Sequence, residues 1–192
     1  MPNTIRENKV DLAKEMGCVA MSVGIESGDP DVRKKLMRHY NNEKLVDNLQ
    51  MVINKEIRVS TFNIIGFPEE TEEMIKTTVQ LNRKLNMTSS GVNVFYPYKG
   101  TPLGDHCFDN DLVDLDKFNN FSNERRESSL KFSDEHHEMI NKYYRNWDLL
   151  IYPVYTYTGL RHRYFTYRNI MLKKLGIFDF ARDLYQSQKK WA

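Results

Sequence analysis

The chain has 192 residues, 40% of them hydrophobic, with 28 Lys and Arg against 26 Asp and Glu for a formal net charge of +2. Such a balance gives no case for a nucleic-acid partner. No apolar run nears the roughly 20 residues that span a bilayer, so no membrane is expected either. Cys18 and Cys107 stand far apart, with no CxxC pair and no zinc-ligand spacing, which argues against a disulfide scaffold or a zinc finger and for a reducing, cytoplasmic setting. The opening residues lack the apolar core of a signal peptide.

In chain order, Val10, Leu12, Ala13 and Met16 recur at helical spacing, which predicts a helix from about Glu7 to Met16 with Gly17 just past its end. Val19 to Gly24 is a short, nearly continuous apolar run and reads as a buried strand of a parallel sheet. Ile25 to Gly28 reads as a loop, and Asp29-Pro30-Asp31 as a helix start. That helix is expected to end near Met37, and another to run from Asn42 to Asn54. Ile57 to Ile65 is rich in β-branched residues and predicts a second strand, broken by Gly66-Phe67-Pro68. A helix follows from Thr71-Glu72 to about Leu85, then a third strand from Gly91 to Tyr96 and a loop over Pro97–Pro102.

Strands separated by helices of this length make βαβ units and a parallel sheet. The expected fold class is α/β: a partial (β/α) TIM-type barrel of about three parallel strands over residues 1–104. Residues 105–132 are polar and irregular and read as a linker with short helical pieces. Residues 133–192 read as a mainly α-helical C-terminal region, with helices from about Asp134 to Leu150 and from Leu160 or Arg163 to Leu175, and a last segment near Phe178–Gln188.

Ligands of parallel α/β sheets lie at the carboxyl ends of the strands. That rule selects the loops Gly24–Gly28, Gly66–Thr71 and Pro97–Thr101. Each alone is an ordinary strand-to-helix turn. Together and in order they are more specific: Gly24-Ile25-Glu26-Ser27-Gly28, Leu36-Met37-Arg38, Ile64-Ile65-Gly66-Phe67-Pro68-Glu69-Glu70-Thr71, and Tyr96-Pro97-Tyr98-Lys99-Gly100-Thr101-Pro102. This series resembles the radical S-adenosylmethionine (SAM) family, in the branch that often carries an N-terminal cobalamin-binding domain. The lead-in, Asp11-Leu12 through Met16-Gly17-Cys18, is similar to that branch's helix ending in Ala-Gly-Cys. The likeness covers about residues 2–104.

The resemblance implies a SAM pocket to which this chain contributes Glu26 and Ser27 near the methionine or ribose, Arg38 toward the carboxylate, and Ile65, Gly66 and Tyr96 beside adenine. Glu70-Thr71 matches a Glu-Thr pair that either caps the next helix or touches ligand. The resemblance also implies a four-iron, four-sulfur cluster that cleaves SAM reductively. The Cys-x3-Cys-x2-Cys motif that binds the cluster is absent here, so this chain is expected to ligate no metal. A missing N-terminal half-barrel, in the same longer chain or a separate polypeptide, would supply the cluster, with cobalamin in a further domain and an unspecified small-molecule substrate. A second departure is Glu69, where the family usually has Gly. The alternative reading is a non-catalytic interaction module derived from such a barrel. An unrelated nucleotide-binding domain is disfavoured by the lack of G-x-G-x-x-G and Walker motifs.

Three further features have plain structural readings. Arg33-Lys34-Lys35 is expected to be a solvated basic face. His136 and His137 point about 100° apart on a helix and cannot chelate one ion well; they too are expected at a solvated surface. The aromatic set Tyr152, Tyr155, Tyr157, Tyr164, Phe165 and Tyr167 is expected to pack the helical tail onto the barrel.

Overall fold

The computed structural model describes residues 4–85, 87–120, 125–152 and 157–177. The helices are α1 (Glu7–Glu15), α2 (Pro30–Lys35), α3 (Asn42–Asn54), α4 (Glu72–Leu85), α5 (Pro102–Asp109), α6 (Leu115–Phe118), α7 (Asp134–Ile151) and α8 (Tyr157–Lys174). The strands are β1 (Ala20–Glu26), β2 (Arg58–Ile65) and β3 (Ser89–Val94), paired in parallel in the order β1-β2-β3. This is the expected α/β class, three parallel strands interleaved with helices and a helical C-terminal region.

Several helix starts follow from short polar caps. Asp29 accepts hydrogen bonds from the backbone N–H groups of Asp31 and Val32, with Pro30 in the first turn. The Asn41 side chain accepts from Lys44 N, and Thr101 from Gly104 N. This last cap starts α5, which runs from the predicted loop into the stretch where short helical pieces are expected. Two boundaries also move. β1 continues through Glu26, past the predicted end at Gly24, and β3 begins at Ser89, two residues early.

Alternation along β2 sorts its side chains. Val59, Thr61, Asn63 and Ile65 are buried on the face covered by α3 and α4, while Phe62 on the other face is 49% exposed. Ala20, Ser22, Ser89 and Asn93 are exposed too. The continuous burial expected of a parallel strand is therefore confined to one face, the one that α3 and α4 cover among the described residues. Its apolar centre joins Val10, Ile25, Leu45, Leu49, Val59 and Leu85. Cys18 is partly buried against this cluster, as its small apolar character suggests.

Residues 105–132 carry α6 and most of α5, the short helical pieces expected there. Val113 and Leu130 form an antiparallel bridge, and both are buried with Cys107, Val32, Phe67 and Phe95. α7 packs on α4 and β3. The chain divides into two compact units, Met1–Ile151 and Tyr152–Ala192. In the second, the Arg163 guanidinium donates to the carbonyl oxygens of Tyr152 (2.8 Å) and Gly159 (3.4 Å). The predicted segment near Phe178–Gln188, and Tyr155, lie outside the described residues, as does the side chain of Tyr157. Among the described residues no helix is long and apolar enough to cross a membrane.

Candidate functional site

The carboxyl ends of the three parallel strands lie at one end of the sheet, and left-handed residues stand at the ends of β1 and β2. At the end of β1 the ladder to β2 shifts register between Gly24 and Glu26, and Glu26 has φ +68°. That left-handed residue turns its carboxylate back over the strand. A Cβ on Gly24 would lie 2.7 Å from Glu26 Oε1, so glycine leaves the room that the carboxylate fills. Arg38 Nη2 meets the same oxygen at 3.0 Å. Burial raises the Glu26 pKa above the ordinary carboxylate value, and the positive charge of Arg38 partly opposes it.

Ser27 does other work. It is fully buried, its Oγ accepts from Asp29 N, and it lies 3.2 Å from Thr78 Oγ1. Gly28 N donates to the same Thr78 oxygen at 2.8 Å, and a Cβ on Gly28 would lie 2.6 Å from Thr78 Cα and 2.7 Å from the Thr77 carbonyl oxygen. The second glycine of the motif thus seats the loop against the backbone of α4. Gly28→Ala forces two backbones apart and is expected to cost about 1–3 kcal/mol. A lower urea midpoint at unchanged slope would register it, and an unchanged midpoint would refute the close approach.

At the end of β2, Gly66 has φ +83°, a conformation open to glycine at no steric cost. Its N–H and that of Phe67 both donate to Glu70 Oε2, at 2.5 and 3.3 Å. Glu70 is 1% exposed, and burial pushes its carboxyl up to about 8 against the pull of the two N–H donors. Of the Glu-Thr pair, Glu70 therefore braces the loop, while Thr71 Oγ1 accepts from Met74 N in the first turn of α4. Glu69 takes φ +61° where the family usually has Gly, and its carboxylate meets Lys35 Nζ at 2.7 Å. The left-handed turn is kept without the glycine.

At the end of β3, Tyr96 donates its hydroxyl to the Phe118 carbonyl oxygen at 2.9 Å and stacks on the Phe118 ring at 5.0 Å. Tyr96 lines a cavity of about 370 Å³ together with Lys35, Met37, Ile64, Phe67 and Asn93. Of the six residues singled out by sequence, only Tyr96 is on this wall. Ile65 is fully buried on the helix-covered face, and strand alternation puts Ile64 on the cavity instead. Arg38 pairs with Glu26 while its neighbour Met37 lines the cavity; Gly66 braces the loop while Phe67 does so.

Sequence reasoning missed Arg33. It is 1% exposed, not solvated: its guanidinium donates to the carbonyl oxygens of Ser27 (2.8 Å) and Tyr40 (3.3 Å) and sits 4.9 Å from the Tyr40 ring centre. Burial lowers its pKa. Arg33 joins the glycine loop to the stretch after Arg38, and no local pattern separates it from its exposed neighbours. The histidine pair also departs from expectation. Both rings contact Phe132, and burial lowers both pKa values. Among the described residues no group of three His, Cys, Asp or Glu could hold a metal ion.

Comparison with known proteins bears on this arrangement. The model of the Radical SAM superfamily matches residues 1–81. A Pyrococcus horikoshii protein described as an uncharacterized methyltransferase is 28% identical over 111 residues, which is 58% of this chain and 24% of that protein. A tRNA-2-methylthio-N(6)-dimethylallyladenosine synthase of Clostridium tetani is 32% identical over 109 residues, 54% of this chain and 24% of that protein. The chain thus spans about a quarter of the length of these relatives. In structure it is similar to coproporphyrinogen III oxidase (HemN) from Escherichia coli, a radical SAM enzyme, with a TM-score of 0.52 and 16% identity, covering 73% of this chain and 29% of that one. That likeness concerns the fold. Motif order and loop geometry accompany the family likeness, in which residues 1–81 match the Radical SAM superfamily model.

Proposed function

We propose that this chain forms the adenosine and carboxylate side of a SAM pocket in a radical SAM enzyme. The observation that carries the reading is the convergence, at the carboxyl ends of three parallel strands, of an aromatic and aliphatic cavity with a half-buried carboxylate–guanidinium pair one residue from its wall. Ile64 and Tyr96 offer apolar surface to a flat purine, and the Asn93 amide offers a donor and an acceptor to its polar edge. Arg38 spends one donor on Glu26, and a guanidinium has five, so others remain for a ligand carboxylate. Assignment to the cobalamin-associated branch rests on the order of the four motifs.

In complete radical SAM enzymes an iron–sulfur cluster supplies one-electron reduction, and its irons take clustered thiolates. The residues of this chain do not fit that role. Cys107 is fully buried, with burial raising its thiol to about 11, and Cys18 stands alone. We therefore assign the cluster ligands to residues outside this chain, in keeping with the quarter of its relatives' length that the chain spans. The two isolated cysteines also favour a second reading, a non-catalytic module that keeps the fold.

Equilibrium dialysis with labelled SAM separates the two. The first reading expects weak, saturable binding, lowered by about tenfold or more in Arg38→Ala through loss of a charge-assisted hydrogen bond. Unchanged affinity in that variant would remove Arg38 from the pocket, and no saturable binding by the folded wild type would favour the module.

A further inference from the structure

The backbone on either side of the Glu26–Arg38 pair is held by two side chains that touch each other. Ile25 has no partner in the β1–β2 ladder, where the register shifts, and the chain then passes through the left-handed Glu26. Such a conformation persists only where its surroundings over-determine it. Here the Ile25 carbonyl oxygen accepts from the Tyr40 hydroxyl at 2.7 Å, and the Ser27 carbonyl oxygen accepts from Arg33 Nη1 at 2.8 Å. The Arg33 guanidinium lies 4.9 Å from the centre of the Tyr40 ring. The carbonyl groups flanking Glu26 are thus fixed by one touching pair.

The same two residues bracket Arg38. At the end of α2, Met37 is left-handed, with φ +54°. Met37 N donates to the Lys34 carbonyl oxygen at 3.0 Å, and Arg38 N to the Arg33 carbonyl oxygen at 2.9 Å. That pairing closes a helix and fixes where the next residue leaves it. Two residues further on, the Tyr40 carbonyl oxygen accepts from Arg33 Nη2 at 3.3 Å. Arg38 therefore sits between two bonds to Arg33, one to its backbone and one to its side chain.

A clamp that served stability alone would not call for a buried charge, since apolar residues of similar volume fill such a space without the desolvation cost. Arg33 spends its charge on carbonyl oxygens, not on a carboxylate. Its planar fork reaches the loop after β1 and the stretch after Arg38 at once, which an apolar side chain could not do. We infer that Arg33 and Tyr40 are positioning residues, which hold the Glu26 carboxylate and the Arg38 guanidinium against each other beside the cavity. Their bearing on SAM rests on the pocket reading above; their hold on the pair does not.

The test follows the side-chain carboxyl carbon of Glu26 by NMR as the full chain is titrated. Arg38 lowers the Glu26 pKa, so Arg38→Gln is expected to raise the midpoint. That upward shift is expected to shrink to about half or less in a Tyr40→Phe background, because the pair is no longer held in place. Tyr40→Phe removes one hydroxyl and keeps the ring. The hydroxyl, pushed up to about 12, carries no charge where a carboxyl titrates, so the change is one of geometry. Arg33→Lys keeps the charge, loses the fork and is expected to shrink the shift likewise. A merely structural clamp would lower the urea midpoint and leave the Arg38→Gln shift at full size; an undiminished shift in the Tyr40→Phe background would overturn the inference. In dialysis with labelled SAM, Tyr40→Phe is expected to lower affinity by about threefold or more in the wild type and not at all in Arg38→Ala. Equal losses in both would overturn action through Arg38. If the wild type binds no SAM while the Glu26 shift still shrinks, the positioning stands and the pocket reading falls.

Discussion

Asn82→Ala is expected to destabilise the fold by about 3–5 kcal/mol. Asn82 is fully buried on α4, facing β2 and β3. Its Oδ1 accepts from Thr61 Oγ1 at 2.8 Å and Ser90 Oγ at 3.0 Å, and its Nδ2 donates to Asn63 Oδ1 at 2.8 Å and to the Thr78 carbonyl oxygen at 2.9 Å. Trp147 Nε1 on α7 donates to Ser90 Oγ at 3.1 Å. One amide therefore ties α4 to two strands and, through Ser90, to α7. Alanine would leave Thr61, Asn63 and Ser90 short of partners in a dry interface, where each unsatisfied group costs about 1–3 kcal/mol. The denaturation midpoint should fall sharply at constant slope. A shift below about 0.5 kcal/mol, the size usual for surface substitutions, would mean that water or a shifted side chain replaces the amide.

This network marks where sequence reading stops. Elements whose signal is local were legible. Asp29-Pro30 starts α2, Asn41 caps α3, and the β-branched run to Ile65 is β2. What the motif glycines make room for is not legible in the sequence: Gly28 comes close to the backbone of α4 at Thr78. Asn63 and Asn82 were opaque, because a polar residue in a strand reads as solvent-facing until its partner on the covering helix is known. Arg33 was opaque for a related reason, since its acceptors are the carbonyls of Ser27 and Tyr40, brought together only by the fold. Glu26 and Arg38 were both assigned to a ligand, and the geometry adds that they hold each other. The early start of β3 is set by pairing: Ser89 lies opposite Ser60 across the ladder and donates to its hydroxyl at 2.6 Å, a contact that no β-propensity signals.

The second large effect is a pH dependence that Glu70 brings to the loop after β2. In the fold burial pushes its carboxyl up to about 8, against an ordinary value of 4.5. Below pH 4.5 it is protonated whether the chain is folded or unfolded. Between the two values only the folded chain holds the proton, so stability falls as pH rises through this window, by an amount on the order of a few kcal/mol, and levels off above it. The cause is desolvation: Oε1 is buried with no hydrogen-bond partner among the described residues, and the two N–H donors on Oε2 offset only part of the cost. His136 and His137 act in the opposite sense, since their lowered pKa values make stability rise as pH climbs through the histidine range. Glu70→Gln separates the two contributions. Glutamine can still accept from Gly66 and Phe67 N–H and does not ionise. Urea titrations of both proteins from pH 5 to 8 should show the wild type losing stability relative to the variant at each step. Phe67 is in the cavity wall, so ionisation of Glu70 should also shift its ring resonances in the wild type alone. A difference between the two proteins that stays flat across this range would mean that the carboxylate is already ionised at pH 5, held by its two backbone donors, and that the loop keeps its shape without the proton.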